Sequence, residues 1–170
     1  YGAIDFYRAC KAQGIHPVIG CEVYVARRTR LDKTYELDAE SRHLVLLCEN
    51  ETGYRNLSYL VSQAFVDGFY IKPRIDLELL RQRHEGLIAL SACLAGAIPQ
   101  ALMNESYASA KAYALQMADI MGEGNFYLEL QNHGIPEQLA VNQGIGRLAR
   151  ETGLPLVVTN DAHYLRREDA

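Results

Sequence analysis

The sequence predicts an α/β fold in which strands and helices alternate along the chain. Short, mainly apolar segments separated by turn residues predict five strands, at residues 17–26, 43–48, 86–91, 126–131 and 154–159. The segments between them carry apolar residues three or four positions apart, which is typical of amphipathic helices. Because strands that alternate with helices usually pair in parallel, we expect a parallel sheet in a layered or barrel architecture.

Each predicted helix has an apolar stripe, and several have recognisable ends. Gly14 is a typical stop for the first helix, and Asp76 is a typical cap for the third. The predicted helices cover residues 1–14, 51–68, 76–84, 106–122 and 136–153. Two segments lack clear periodicity, and we predict a polar insertion at residues 27–42 and a connector at residues 69–74.

Size and composition predict a single domain over residues 1–170. With 170 residues, of which 49% are hydrophobic, the chain can bury a substantial core. A net charge of -4 argues against a stand-alone nucleic-acid binder. The four cysteines form no C-x-x-C pair, which is typical of a reducing compartment. With neither a membrane-length apolar segment nor a secretory signal, we expect a cytoplasmic protein without a membrane partner.

Polar side chains collect where three of the predicted strands end. Cys93 follows the third strand, His133 the fourth and His163 the fifth. Side chains two apart in an extended segment share a face, so Glu129 can point with His133, and Asp161 with His163. Reactive groups of parallel α/β folds gather at this rim of the sheet. The spacing suits ligands of ions about 3.5–4 Å apart, as in multi-metal phosphoesterases.

Each of these residues also has a simpler explanation when taken alone. His133 fits a hydrogen-bonded structural residue, Asp161 an Asx turn, and Cys93 a small buried group. His43 fits the first residue of a strand. Glu22 is harder to dismiss, because a carboxylate inside an apolar run needs a cation partner or an exposed edge strand. The joint occurrence at several strand ends is therefore more informative than any one residue.

A cysteine hydrolase is a rival prediction. Cys93 lies between a strand and a helix, where a helix N-terminus lowers a thiol pKa, and histidine and aspartate side chains are available to assist it. This chemistry would leave Glu22 and Glu129 without a role. Thiol alkylation that abolishes activity, with chelators having no effect, would favour it.

Five segments carry a resemblance to a known family. They are ENETGYRNLSYLVSQAF, GFYIKPRIDLELL, EGLIALSACLAGAIP, YLELQNHGIPEQ and LPLVVTNDAHYLRRED. Over nearly its whole length the chain resembles the PHP (polymerase and histidinol phosphatase) domain family, in the form found in alpha subunits of bacterial replicative DNA polymerases. The stretches GFYIKPRID and NDAHYL are the most specific. The resemblance implies a distorted TIM-like (β/α)7 barrel that holds up to three metal ions.

The resemblance also implies roles for particular residues. The implied metal ligands are Glu22, His43, Cys93, Asp161 and His163, and the last two are also the implied catalytic residues. Glu129 and His133 are implied to line the site. A thiolate among nitrogen and oxygen donors favours zinc, although carboxylate-rich positions also accept manganese.

The function implied by the resemblance belongs to DNA replication. The parent would be a DNA-directed DNA polymerase whose PHP domain is a metal-dependent phosphoesterase or 3'–5' exonuclease. The implied partners are DNA, the rest of the polymerase chain and other replicase subunits, including the proofreading exonuclease. A non-catalytic module that braces the polymerase and docks its proofreading subunit is the alternative. A free-standing histidinol-phosphate-type phosphatase is a third option, which GFYIKPRID and NDAHYL disfavour.

The family pattern begins with two metal motifs that would lie before Tyr1. We therefore expect this chain to be part of something longer, with an incomplete barrel of about five strands. We expect its metal site to lack ligands and to hold fewer ions than the intact domain, or none. Isolated, the chain is expected to show no meaningful hydrolysis of single-stranded DNA.

Overall fold

A computed structural model describes residues 2–169 as one six-stranded sheet packed against helices. The strands are β1 (Gly20–Ala26), β2 (Ser41–Cys48), β3 (Arg74–Ile75), β4 (Leu87–Leu90), β5 (Phe126–Leu130) and β6 (Leu156–Val158). The helices are α1 (Ala3–Ala12), α2 (Tyr35–Asp38), α3 (Glu51–Val66), α4 (Leu77–Gln82), α5 (Ala97–Asn104), α6 (Tyr107–Met121) and α7 (Pro136–Thr152). A short 3₁₀ turn follows at Arg167–Asp169. The first predicted helix begins at Tyr1, which lies outside the described residues.

The five predicted strands are present, but the prediction of parallel pairing is wrong for part of the sheet. The strand order is β3-β1-β2-β4-β5-β6. β2 runs antiparallel to both of its neighbours, whereas the β1–β3, β4–β5 and β5–β6 pairs are parallel. The physical reason lies in the link between β1 and β2. It contains only the one-turn α2, so the chain turns back beside β1 without a crossover helix.

The predicted count of about five strands is corrected to six. The additional strand, β3, lies in the predicted connector and pairs with Tyr24 and Val25 of β1. Two residues are too few to give an alternating pattern, which explains why this strand was not predicted. Over residues 2–169 the sheet is open, with β3 and β6 at its edges.

One face of the sheet forms the core. Alternate residues of each central strand point towards the helices and are buried: Val23, Val25, Leu44, Leu46, Leu87, Ala89, Phe126 and Leu128. They pack against buried residues of α3, α6 and α7, which include Leu60, Met117 and Leu148. Each large apolar side chain buried here contributes roughly 1.5–3 kcal/mol, so this interface is a major source of stability.

The opposite face of the sheet, called the open face below, lies outside this core. Its apolar residues alternate with those of the core and are only partly buried: Tyr24, Val45, Leu47, Ile88 and Tyr127. Glu22 and His43 belong to the same face, because each lies two residues from one of these along its strand. The open face therefore presents polar groups within an apolar surface.

Two predicted helix ends are confirmed. Gly14 follows α1 with φ +69°, the left-handed conformation that ends many helices. Asp76 caps α4 by accepting a 2.8 Å hydrogen bond from the Leu79 N–H. Among residues 2–169, no helix combines the length and the apolar character needed to span a membrane.

Candidate metal centre

The direction of β2 brings His43 to the rim where β1 and β4 end. Tyr24, near the end of β1, pairs directly with His43, and Leu90, at the end of β4, pairs with Val45. The His43 N–H donates a 3.1 Å hydrogen bond to the Ala95 carbonyl in the loop after β4. That hydrogen bond holds the loop, and Cys93 within it, against the start of β2.

Three side chains meet at this point with different donor atoms. His43 Nδ1 lies 2.9 Å from Glu22 Oε1 and 3.6 Å from Cys93 Sγ. One donor atom of each residue lies within 4.8 Å of the other two. An imidazole nitrogen, a carboxylate oxygen and a thiol sulfur are the ligand types that bind zinc in proteins, so this donor set fits a metal. Glu22 is also exposed, which accounts for a carboxylate within an apolar strand.

The pKa of Cys93 argues against a cysteine hydrolase. Burial raises the pKa of the Cys93 thiol above its usual value, and the nearby carboxylates of Glu22 and Asp161 raise it further. A nucleophilic cysteine needs the opposite shift, because the thiolate is the reactive form. In addition, α5 begins only at Ala97, so Cys93 does not occupy the first turn of that helix.

Glu129 supports the turn that carries Cys93. Its side chain is buried on β5, where Oε2 accepts a 2.9 Å hydrogen bond from the Ala92 N–H. Gln131 Nε2 donates to Oε1 at 3.1 Å, and the Thr159 hydroxyl also donates to Oε1. Ala92 has φ +64°, a conformation that L-residues rarely adopt. Glu129 therefore stabilises an unusual backbone conformation directly before Cys93, and its buried carboxyl oxygens accept hydrogen bonds from three donors.

His133 connects the loops that follow β5 and β6. Its Nε2 lies 2.7 Å from the Asn160 carbonyl, and its Nδ1 lies 2.9 Å from the Gln138 side-chain nitrogen. Both ring nitrogens of His133 are therefore within hydrogen-bonding distance of a partner. In this arrangement His133 holds the residue that precedes Asp161.

Within residues 2–169, the structure places neither Asp161 nor His163 in the three-residue cluster. Both lie in the exposed segment after β6, and His163 Nδ1 lies 2.8 Å from the Asp161 carbonyl oxygen. The Asp161 carboxylate is near enough to raise the pKa of Cys93. Among residues 2–169, however, the potential ligand group consists of Glu22, His43 and Cys93. β6 is a three-residue, mostly exposed edge strand, so little packing fixes the segment that follows it.

Sequence reasoning missed two residues next to this cluster. The Tyr24 ring contacts His43 edge-on, with ring centroids 5.1 Å apart. Lys72 Nζ lies over the Tyr24 ring, 5.4 Å from its centroid. The alternation along β1 could have identified Tyr24, because it lies two residues from Glu22 on the same face. Lys72 depends on the placement of the loop before β3, for which the sequence carries no local signal.

Fold and donor group together define an α/β protein with an open-faced sheet and a mixed nitrogen, oxygen and sulfur cluster suited to a metal ion. The PHP domain family matches residues 1–133. The chain belongs to this family, whose members are generally metal-dependent.

Curated relatives extend the similarity over the whole chain. The chain is 47% identical to the "DNA polymerase III subunit alpha" of Thermus aquaticus, with 100% of the chain and 14% of the relative covered. The proteins of the same name from Treponema pallidum and Borreliella burgdorferi are 44% and 45% identical, each with 100% of the chain and 15% of the relative covered. The chain thus spans about one seventh of the length of these relatives.

Proposed function

We propose that residues 1–170 form a single PHP-domain segment of a DNA polymerase III alpha subunit, and that the parent domain is a metal-dependent phosphodiesterase acting as a 3'–5' exonuclease. The observation that carries this proposal is the meeting of Glu22, His43 and Cys93 within 4.8 Å of one another at the rim of the sheet. The relatives, which are named as alpha subunits of DNA polymerase III, support the assignment of the parent.

Under this proposal Glu22, His43 and Cys93 hold zinc or manganese. Asp161 and His163 supply further ligands and lie nearest the reaction, because their segment follows β6 at the same rim. A bound metal would supply Lewis acidity towards the phosphate oxygens of the substrate. Glu129 positions the turn before Cys93, and His133 positions the segment that carries Asp161.

The proposal includes the setting of the parent protein. Its sheet would be completed to a (β/α)7 barrel by other parts of the parent chain. Its partners would be DNA, the remainder of the alpha chain and the other replicase subunits, including the proofreading exonuclease, in the bacterial cytoplasm. The isolated chain is proposed to be inactive, because part of the ligand set would lie elsewhere in the parent.

The test uses the full-length polypeptide that contains this chain and a single-stranded oligonucleotide labelled at its 5' end. We expect stepwise shortening from the 3' end that requires added metal and is lost in both His43→Ala and Asp161→Asn. DNA synthesis by the same variants should be retained, which would show that they fold. Shortening at the wild-type rate in both variants would refute the assigned site.

A structural module is the second candidate, because only three of the five proposed ligands lie together in residues 2–169. It predicts that the wild-type polypeptide does not shorten the oligonucleotide at any metal concentration. It also predicts that His43→Ala lowers the thermal stability of the polymerase or weakens its binding to the proofreading subunit. Metal-dependent hydrolysis by the wild type would exclude this candidate.

A further inference from the structure

We infer that Lys72 contacts a backbone phosphate of a single-stranded nucleic acid and positions the strand across the open face. The inference rests on the proposed function, since it assigns a substrate contact next to the same cluster. It makes Lys72 a positioning residue for a phosphodiester chain and gives it no part in the chemistry itself.

A continuous series of contacts links Lys72 to the cluster. Glu22 and Tyr24 share the open face of β1, and Tyr24 pairs with His43 across the sheet. The Tyr24 and His43 rings meet edge to face, with an interplanar angle of 81°. The Lys72 ammonium lies over the Tyr24 ring, 5.4 Å from its centroid and within the range of a cation–π interaction. Lys72 is therefore two side-chain contacts from His43 on one surface.

The charge of Lys72 is available for a ligand. Lys72 is exposed, and within residues 2–169 its ammonium forms no salt bridge. Three arginines of the β1–β2 link and of β2 are instead paired with carboxylates, at 2.9 Å for Arg28–Asp38, 3.1 Å for Arg30–Asp76 and 3.3 Å for Arg42–Glu40. An unpaired ammonium beside a phosphodiesterase site is the group expected to bind a phosphate of the strand.

The backbone on both sides of Lys72 is fixed. Arg74, two residues later, is fully buried, and its guanidinium lies 5.3 Å from the centroid of the Tyr70 ring. The Tyr70 N–H donates a 3.0 Å hydrogen bond to the Lys72 carbonyl. Ile71, between them, has φ +63°, which is rare for a β-branched residue. This anchored loop presents Lys72 beside Tyr24 in a defined place, as a positioning contact requires.

The strand would cross the open face from the cluster towards Lys72. One phosphodiester would lie at Glu22, His43 and Cys93, and Lys72 would bind another phosphate of the same strand. A lysine binds phosphate as a point charge and does not read bases, so the contact would be independent of sequence. The partly buried apolar residues of the open face would contact bases without a specific hydrogen-bonding pattern.

The test measures binding of a fluorescein-labelled single-stranded oligo(dT) by anisotropy to the full-length polypeptide that contains this chain, in a zinc-containing buffer at several salt concentrations, with each variant compared with the wild type. We expect Lys72→Gln to weaken binding about five- to tenfold at low salt and to reduce the salt slope by about 0.7–1, the value for one lost phosphate contact. Lys72→Arg should bind like the wild type. Inorganic phosphate should compete only weakly with the oligonucleotide. Strong competition would indicate a site for phosphate monoesters and would contradict a contact to a phosphodiester chain.

Lys11→Gln is the matched control. Lys11 also lies over a tyrosine ring, 5.8 Å from the Tyr7 centroid, but on α1. The Lys11→Gln substitution removes the same charge and the same kind of cation–π contact as Lys72→Gln. We expect it to leave oligonucleotide binding unchanged within about twofold. Equal losses in Lys11→Gln and Lys72→Gln, no loss in Lys72→Gln, or no binding by the wild type would each overturn the inference.

Failure of this inference can be told apart from failure of the proposed function. Hydrolysis that depends on His43, together with normal oligonucleotide binding by Lys72→Gln, would support the proposed reaction and refute the Lys72 contact. Oligonucleotide binding that depends on Lys72, without hydrolysis by the full-length polypeptide, would support the Lys72 contact and refute the proposed reaction.

Discussion

Arg74 has a fully buried guanidinium that, within residues 2–169, donates to four backbone carbonyls. Its partners are Gly68 at 3.1 Å, Asp38 at 3.2 Å, Arg30 at 3.0 Å and Asp32 at 2.9 Å. We predict that Arg74→Met lowers the free energy of unfolding by roughly 3 kcal/mol, because these buried carbonyls lose their donor. Urea denaturation followed by circular dichroism measures this change.

Arg55→Met is the control for Arg74→Met. Arg55 lies on the exposed side of α3, where both it and its partner Glu51 have 77% side-chain exposure. Exposed pairs of this kind contribute at most about 0.5 kcal/mol, so stability should hardly change. Similar losses in the two variants would mean that the buried hydrogen bonds of Arg74 contribute little.

At the scale of elements, Gly53 sets how closely α3 packs against the turn before β4. A Cβ on Gly53 would lie 1.8 Å from the Gly86 carbonyl oxygen, a contact that only movement of backbone could relieve. We therefore predict that Gly53→Ala lowers the free energy of unfolding by about 2–3 kcal/mol, despite the better helix propensity of alanine. Thermal or urea denaturation would measure the loss.

Gly146→Ala on α7 tests the same substitution without the clash. A Cβ there would meet only the Arg150 Nη1 atom at 3.6 Å, which is ordinary contact. Alanine should be neutral or stabilising by up to about 1 kcal/mol, since it restricts the unfolded chain and favours the helix. A Gly53→Ala variant as stable as Gly146→Ala would contradict the close packing of α3.

The polar insertion around α2 is held by a carboxylate whose pKa is strongly lowered. Arg28 binds Asp38 through Nε–Oδ1 at 2.9 Å, and the Thr34 N–H donates to Oδ2 at 2.8 Å. The hydrogen bond from Arg28 is the main cause that lowers the pKa of Asp38 from 3.8 to about 2. The folded state therefore binds fewer protons than the unfolded state between these two pH values.

Because the folded pKa is the lower one, the contribution of Asp38 is present above pH 4 and is lost as the pH falls towards 2. We predict that the difference in stability between wild type and Asp38→Asn narrows over this interval. Urea denaturation at a series of pH values would show it. A difference in stability that stays constant from pH 5 to pH 2 would contradict a lowered pKa of Asp38 in the folded state.

The existence of most elements follows from local pattern. The five predicted strands and the long helices have enough regular residues to be recognised from periodicity alone. β3 could not be predicted in this way, because two residues define no alternation. The orientation of β2 could not be predicted either, because it depends on how residues 27–40 return the chain and not on the composition of the strand.

At the scale of the whole molecule, the candidate site depends on that orientation. Glu22, His43 and Cys93 could be named as candidates from residue type and family resemblance. Their proximity arises because β2 runs antiparallel and carries His43 to the rim where β4 ends. Tyr24 and Lys72 become relevant only when the sheet and the loop before β3 are assembled. Long-range pairing, which no local pattern encodes, therefore brings the site together.

Retention of zinc by the chain after gel filtration, measured by elemental mass spectrometry, tests the central claim most directly. We predict that the wild type retains zinc and that His43→Ala and Cys93→Ala each retain at least about tenfold less, because each variant removes one of the three donors that lie together. His84→Ala and Cys10→Ala, which change the same residue types away from the cluster, should retain as much zinc as the wild type. Equal zinc in all five proteins, or none in the wild type, would contradict a metal site at Glu22, His43 and Cys93.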